Sequence, residues 1–247
     1  MKLILLGPPA AGKGTQAECI AERYSLAHIS TGDMLRAEIS KKTPLGLRAK
    51  ALIDDGNLVP DEIINEMVLS RIQHEDCSIG FLLDGYPRTI AQAETLAGAV
   101  NIDAVIDINV DSDILIERVS SRRVCPKCNH SQCVSAADTA AGKPELCAKC
   151  GAELIRRPDD NPESMRHRLE VYYDRTFPLI NFYREKGLLV PIDGAMSIGD
   201  VSNRSLRRSI RYSRRIKKLK SNGRNASTGA AAYFRKSTLR SSGEKNE

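Results

Sequence analysis

The chain has 247 residues, with 37 Lys/Arg against 31 Asp/Glu, 41% apolar residues and 4% aromatics. That length suits one large domain with insertions, or a domain with an appendage. It suffices to bury about three quarters of the unfolded surface without disulfide support. No apolar run nears the ~18 residues of a membrane-spanning helix, and a strand–loop–helix motif beginning at Met1 is expected to leave no room for a signal peptide. The net charge of +6 would suit a polyanion-binding protein, but it is unevenly spread. Arg204–Glu247 carries 14 basic and 2 acidic side chains, whereas residues 1–203 carry 23 basic and 29 acidic ones. The basic character belongs to a C-terminal tail attached to a mildly acidic globular protein.

Lys2–Leu6 is a continuous apolar run ended by Gly7-Pro8-Pro9, which predicts a strand buried on both faces. After a glycine-rich loop, Ala17, Ile20, Ala21 and Tyr24 recur at helical spacing. Further buried strands are predicted at Leu26–Ile29, Phe81–Leu83, Ala104–Val110 and Leu188–Ile192, with helices at Ile63–Ile72 and Asp113–Val119 between them. Strands alternating with helices predict an α/β fold with a parallel sheet flanked by helices. Two segments interrupt the alternation: Ser30–Val59 is helical and polar, and Arg122–Asp160 is Cys-rich with little periodicity. Asp160 or Asn161 should cap a helix with Pro162 in its first turn, and Pro178 should break or kink that helix near Phe177. Beyond about Ile210 the Arg/Lys/Ser/Asn/Gly-rich composition predicts disorder, with at most transient helix.

Gly7-Pro-Pro-Ala-Ala-Gly-Lys13-Gly-Thr15 follows the first strand and opens the first helix. Glycines let the backbone approach a phosphate, the helix N-terminus offers free N–H groups, and Lys13 adds a positive charge on the β/γ side. The strict pattern has Ser/Thr directly after the lysine, whereas here Gly14 intervenes before Thr15. Phe81-Leu-Leu-Asp84 is an apolar strand ending in an acid, the form of a magnesium-organising carboxylate beside a phosphate loop.

Seven cysteines, an odd number in a chain without an export signal, suit a reducing compartment. Cys19 and Cys77 read as small buried side chains. Cys125-Pro-Lys-Cys128 and Cys147-Ala-Lys-Cys150 are two C-x₂-C knuckles with 18 residues between them. This is a zinc spacing: four thiolates close a tetrahedral shell, so the site is structural, although iron or cobalt also suits four thiolates. Asn129 and Gly151 follow the knuckles and can adopt the left-handed conformation that turns backbone N–H groups toward sulfur. Cys133 and His130 are spare donors and are not expected to ligate.

The stretches GPPAAGKGTQA (7–17), ISTGDMLR (29–36), DGNLVPDE (55–62), GFLLDGYPRT (80–89) with Gln92, SRRVCPKC (121–128) and RRPDDNPESMRHRL (156–169) closely resemble the adenylate kinases. The resemblance spans about residues 1–210. It implies a P-loop NTPase-type fold with a parallel five-stranded sheet, a helical insertion that binds the nucleoside monophosphate, and a zinc-ribbon-like lid. The corresponding parts would be a core (1–29, 60–121 and 161–213), the insertion (30–59), the lid (122–160) and the basic tail (214–247). It implies the reaction MgATP + AMP ⇌ 2 ADP by a cytoplasmic monomer, serving adenine nucleotide balance. In that reaction the attacking atom is an already anionic phosphate oxygen. No general base is required, only positioning and dispersed positive charge, which planar guanidinium groups supply well. Lid closure, of which adenylate kinases are a standard example, keeps water from the reaction.

Carried over residue by residue, the resemblance makes Lys13, Arg88, Arg122, Arg157 and Arg168 catalytic. It assigns ATP to Ala10, Ala11, Gly12, Lys13, Gly14, Thr15, Arg118, Arg122 and Met196, with Arg118 packing on the adenine. It assigns AMP to Thr31, Arg36, Asn57, Leu58, Val59, Gly85, Tyr86, Pro87, Arg88, Gln92, Arg157 and Arg168. Gln92 has both a donor and an acceptor for the adenine edge. Asp84 and Asp33, with Asp159 as a further candidate, would hold Mg²⁺ through water, and Cys125, Cys128, Cys147 and Cys150 would hold structural Zn²⁺. Two positions depart from the pattern. Ala10 replaces a common glycine, at a cost of about 1 kcal/mol if φ there is positive, and Gln132 stands near a usual tyrosine beside the ATP adenine. The tail run Arg214–Lys220 suits weak binding of RNA or an anionic surface. Two alternatives to the main reading are a nucleic-acid-binding zinc-ribbon protein and a kinase preferring another nucleoside monophosphate.

Overall fold

The structure, a computed structural model, describes residues 1–55, 57–140, 144–157, 160–197, 199–201 and 203. The expectations for the basic tail and for Asp159 therefore lie outside the described residues. Strand β1 (Lys2–Leu6) is the centre of a five-stranded parallel sheet ordered β2 (Ala27–Ser30), β3 (Phe81–Asp84), β1, β4 (Ala104–Asn109), β7 (Leu189–Asp193). Each of the five predicted strands occurs within one residue of its expected bounds.

Side chains of β1 alternate between two cores, as the two-residue period of a strand requires. Leu3 and Leu5 pack with Ile20, Leu115, Val119 and Met165, whereas Ile4 and Leu6 pack with Ile64, Val68, Leu96 and Leu179. The first face is covered by α1 (Lys13–Tyr24), α6 (Ser112–Ser121) and α8 (Pro162–Val171), and the second by α4 (Asp61–Arg71), α5 (Ile90–Ala99) and α9 (Pro178–Glu185). Among the described residues no helix is long and apolar enough to cross a membrane.

Residues 30–59 form α2 (Thr31–Ser40) and α3 (Pro44–Asp54), each with its start written in the sequence. Ser30 caps α2 by accepting from Asp33 N–H, and Thr43 caps α3 by accepting from Gly46 N–H, with Pro44 in the first turn. The two helices approach so closely that a Cβ on Gly46 would lie 2.2 Å from the Glu38 carbonyl oxygen, so glycine is required there. Asn161, rather than Asp160, caps α8 through Ser164 N–H.

The expected break near Phe177 takes another form. Between α8 and α9 the chain makes a π-helical turn, Tyr172–Thr176, closed by a 2.8 Å bond from Phe177 N–H to Tyr172 O. The turn lies immediately before Pro178, so the wider hydrogen-bond spacing absorbs the missing donor without ending the helix.

The Cys-rich segment carries a two-stranded antiparallel ribbon, β5 (Arg122–Val124) with β6 (Ser131–Cys133), followed by the short α7 (Ala136–Ala140). Its apolar interior is only Cys125, Cys147 and Leu154, with Cys128, Val134 and Ala152 at the margin. Such an interior is too small to hold a fold by burial alone. Cys77 is buried as predicted, whereas Cys19 is only half-buried.

Candidate active site

The glycine-rich loop connects the C-terminal end of β1 to the N-terminus of α1, where unpaired N–H groups gather. Lys13 Nζ folds back to donate to the carbonyls of Gly7 and Pro8, each at 2.7 Å. Burial brings the Lys13 ammonium down to about 8; the nearby cations Arg88, Arg168 and Arg122 act in the same direction, while Asp84 opposes them. Gly12 has φ 89°, and Ala10 has φ 62°. Alanine thus occupies a left-handed position, and the sequence-based cost applies. Ala11 is buried, Thr15 is half-buried, and a Cβ on Gly14 would meet Asp84 Oδ2 at 3.8 Å.

Two adjoining clefts open here, the second of them beside this loop. One is lined by Thr31, Arg36, Asn57, Leu58, Val59, Gly85, Arg88, Gln92 and Arg168. The other is lined by Gly7, Pro9, Lys13, Leu58, Gly85, Pro87, Arg88 and Arg168. Leu58, Gly85, Arg88 and Arg168 belong to both, so the clefts meet at two guanidinium groups. Arg88 is held there by Nε donating to Gly85 O at 2.8 Å, and its own carbonyl accepts from Thr176 Oγ1 of the π turn at 2.9 Å. Burial and the neighbouring Arg168, offset in part by Asp84 and aggravated by Arg36, lower Arg88 to about 10. A pocket that depresses the pKa of an arginine is short of negative charge and suited to an anion. Gly85 has φ 79°, and a Cβ there would come within 2.9 Å of Thr31 Oγ1, so the crossing of the two clefts needs glycine.

Of the residues expected around AMP, Tyr86, Pro87 and Arg157 do not line the first cleft, and Pro87 lines the second. Tyr86 is fully buried, its hydroxyl donating to Asn65 Oδ1 at 2.7 Å and lying 3.2 Å from Gln92 O, so its side chain belongs to the core. Gln92 is held at both halves of its amide, each of which keeps one further hydrogen-bonding position. Its Oε1 accepts from Arg88 N–H at 2.7 Å and its Nε2 donates to Asp61 Oδ1 at 2.6 Å. Thr31 donates to Gly85 O at 2.9 Å. Arg36 donates to Asp33 Oδ1 at 2.5 Å, while its buried Nε has no protein partner.

Arg122, at the start of β5, is gripped by Asp160, with Nε at 2.7 Å from Oδ2 and a second bond from NH2 to Oδ1. Arg168 NH1 lies 3.9 Å from the same carboxylate, whose side chain is fully buried, and Arg156 Nε donates to Asp160 O. Arg157 is half-buried with its Nε enclosed. Arg118 bridges the phosphate loop and the segment after β7, donating to Ala11 O at 3.4 Å and Gly194 O at 2.9 Å. Met196 packs at the edge of the nearby core.

Asp84 ends β3 opposite Leu5 of β1 and has His28 Nε2 3.6 Å away. Burial disfavours the charged His28 ring, but Asp84 outweighs it and raises the pKa. Burial likewise works against the Asp33 carboxylate, yet Arg36, Asn129 and Ser30 hold its pKa below the usual value. Asn129 lies in the Cys-rich segment, and its amide reaches Asp33 Oδ1 at 2.8 Å. Next to it, His130 Nδ1 is 3.6 Å from Glu18 on α1, and His167 Nε2 is 2.9 Å from Asn57 Oδ1. The Cys-rich segment thus touches α1 and α2, and α8 touches the segment after α3.

The four cysteine sulfurs of the knuckles lie within 4.8 Å of one another. Cys125 and Cys150 are 3.4 Å apart, and Cys128 and Cys147 are 3.6 Å apart, close to the ~3.8 Å edge implied by a tetrahedron with ~2.3 Å Zn–S bonds. Cys128 N–H points at Cys125 Sγ and Lys149 N–H at Cys147 Sγ, both at 3.4 Å, and Asn129 and Gly151 have φ 59° and 72° as expected. These donors suit thiolates, so the set fits a structural zinc ion. Cys133 and His130 are not part of the cluster. Gln132 instead braces the Cys-rich segment, accepting from Ala148 N–H at 2.9 Å and donating to Leu146 O at 3.3 Å.

Sequence reasoning missed Asp160, Asp61, Thr176, Asn129 and His167. Asp160 and Asp61 sit inside the RRPDDN and VPDE stretches, so motif membership was their signal; Thr176, Asn129 and His167 are revealed only by packing. The family model described as Adenylate kinase matches residues 5–188. The chain is 49% identical over 207 residues to an adenylate kinase of Clostridium beijerinckii, covering 81% of this chain and 94% of the relative. It is 51% identical over 206 residues to one of Bacillus pumilus and 47% identical over 207 residues to one of Clostridium perfringens, with the same coverage.

Proposed function

Because the chain belongs to the adenylate kinase family, and so catalyses phosphoryl transfer from MgATP to AMP to give two ADP, we propose that its two clefts are the two nucleotide sites and that Arg88 and Arg168 straddle the phosphoryl group in transit. The shared lining of the clefts carries this reading. The second cleft, at the phosphate loop, takes ATP, with Lys13 toward its β/γ-phosphates and the plane of Arg118 available to the adenine. The first cleft takes AMP, whose phosphate meets Arg36 and Arg88. Magnesium bound with ATP neutralises phosphate charge and orients the oxygens; Asp84, and Asp33 through its Oδ2, are the carboxylates placed to hold its water shell.

A phosphate oxygen of AMP forms the new bond to the γ-phosphorus while the bond to the β–γ bridging oxygen breaks, and that oxygen leaves on ADP. Lys13, Arg88, Arg122, Arg157 and Arg168 stabilise charge that moves onto the oxygens, and no side chain has to take a proton. The lid excludes water, and structural zinc supplies the rigidity its small interior lacks. The need for four thiolates supports a reducing, cytoplasmic setting, and the clefts are built within one chain, as a monomer requires. The basic tail supports weak polyanion binding as a separate property.

An ATP-dependent assay across AMP, GMP, UMP and CMP tests the substrate; faster turnover of any base but adenine would overturn the AMP reading. Arg88→Ala should lower kcat by about a hundredfold or more. Its thermal stability should hold, because like charges already crowd that site. Near-normal turnover would contradict the role given to Arg88.

A further inference from the structure

The Gln92 amide is nearly inaccessible to solvent, at 2% exposure, yet it lines the first cleft. Its orientation is dictated by chemistry. Arg88 N–H can only donate, so it must face Oε1; the Asp61 carboxylate accepts, so it faces Nε2. Reversing the amide would set donor against donor and acceptor against acceptor, an arrangement a buried site penalises.

Asp61 is itself fixed. It stands in the first turn of α4, and its other oxygen accepts from Thr89 Oγ1 at 2.6 Å. Thr89 caps α5 by accepting from Gln92 N–H at 3.2 Å, which closes a ring from Asp61 through Thr89 to Gln92 and back. With one Nε2 hydrogen spent on Asp61, the second remains to donate.

We infer that Asp61 is a positioning residue for base selection, holding the Gln92 amide so that it presents N–H to the bound base. A base with an acceptor there, such as N1 of adenine, is matched. Hypoxanthine and guanine carry N1–H at the same place and meet a donor with a donor. Asp61 never touches the substrate, and the inference rests on the reading that the monophosphate base lies at Gln92.

The test compares kcat/KM for AMP and for inosine monophosphate, which differs from AMP only in the polarity of that edge. In Asp61→Ala the AMP preference should fall about tenfold, chiefly through a higher KM for AMP, with KM for ATP unchanged. Asp61→Asn keeps an acceptor for Nε2 and can donate to a reversed Thr89 hydroxyl, so it should recover most of the lost preference. A preference unchanged in Asp61→Ala, equal losses on both substrates, or no recovery in Asp61→Asn would overturn the inference. Should Asp61→Ala fail to fold, Thr89→Val loosens the same carboxylate and should lower the preference several-fold; an unaltered preference there overturns it equally. Gln92→Ala separates the two levels. If it leaves the preference intact, the base does not lie at Gln92 and the cleft reading fails. If it abolishes the preference while Asp61→Ala does not, only the role of Asp61 fails.

Discussion

Replacing Asp160 by Asn keeps the side-chain shape and removes only its charge, from a carboxylate with no solvent exposure set between Arg122 and Arg168. Breaking a buried pair costs about 3–5 kcal/mol when a charge is left uncompensated. Two features reduce that figure here. The Arg122 and Arg168 side chains are 15% and 21% exposed, so water screens them in part, and an Asn oxygen still accepts from Arg122. A loss of about 2–3 kcal/mol follows, which in a domain of this size lowers Tm by roughly 5–10 °C. On the proposed reading of the site, the same carboxylate competes with substrate phosphates for these cations. A saturating bisubstrate analogue, two adenosines joined through a polyphosphate, should therefore return negative charge to the site and raise Tm by several degrees more in Asp160→Asn than in the unaltered protein. Thermal unfolding with and without the analogue measures both quantities. An unchanged Tm, or a lowered Tm with an unaltered ligand shift, would refute the account of Asp160 as stand-in for phosphate.

Lys13 must be protonated to meet phosphate, and its lowered pKa of about 8 means that the free enzyme loses this charge in mild alkali. Bound phosphates favour the proton, so ATP should bind with proton uptake above pH 8 and weaken there by up to about tenfold per pH unit; calorimetry showing flat affinity from pH 7 to 9.5 would exclude this. Ala10→Gly relieves a left-handed conformation worth about 1–2 kcal/mol but adds about 0.4–1 kcal/mol of unfolded-chain entropy. The net gain of up to about 1.6 kcal/mol should raise Tm by at most ~6 °C, and a lower Tm would show that Ala10 is unstrained. Removing metal with a chelator, or Cys150→Ser, should speed amide hydrogen exchange across residues 122–157 while that of β1 and β4 is unchanged; equal protection with and without metal would sink the Cys₄ site.

The five strands were legible because a sheet buried on both faces leaves continuous apolar runs, and Leu3 through Leu6 serve both cores in alternation. The phosphate loop and the knuckles were legible for a different reason: their chemistry constrains residue types at fixed spacing. The π turn was not, since Pro178 announces only that a donor is missing, and the surrounding helices decide whether the chain breaks or widens. Gln92 shows the limit most plainly. Its type indicated a reader of the base, but which way the amide faces depends on Arg88 and on Asp61, 31 residues earlier in the chain. Arg122 and Arg168 were found as cations for phosphate, whereas the carboxylate between them read only as a possible helix cap.

The turn after Cys128 ties metal chemistry to the timing of the catalytic cycle. Asn129 at φ 59° and His130 are the next two residues after a sulfur ligand, and they are the ones that touch Asp33 and Glu18. On the proposed reading of this segment as a lid, products leave once those contacts part, and every 1.4 kcal/mol they contribute would slow opening about tenfold. A loosened knuckle would therefore release ADP sooner and admit water more often, so metal loss would shift the balance between dwell time and leakage in each turnover as well as weaken the lid.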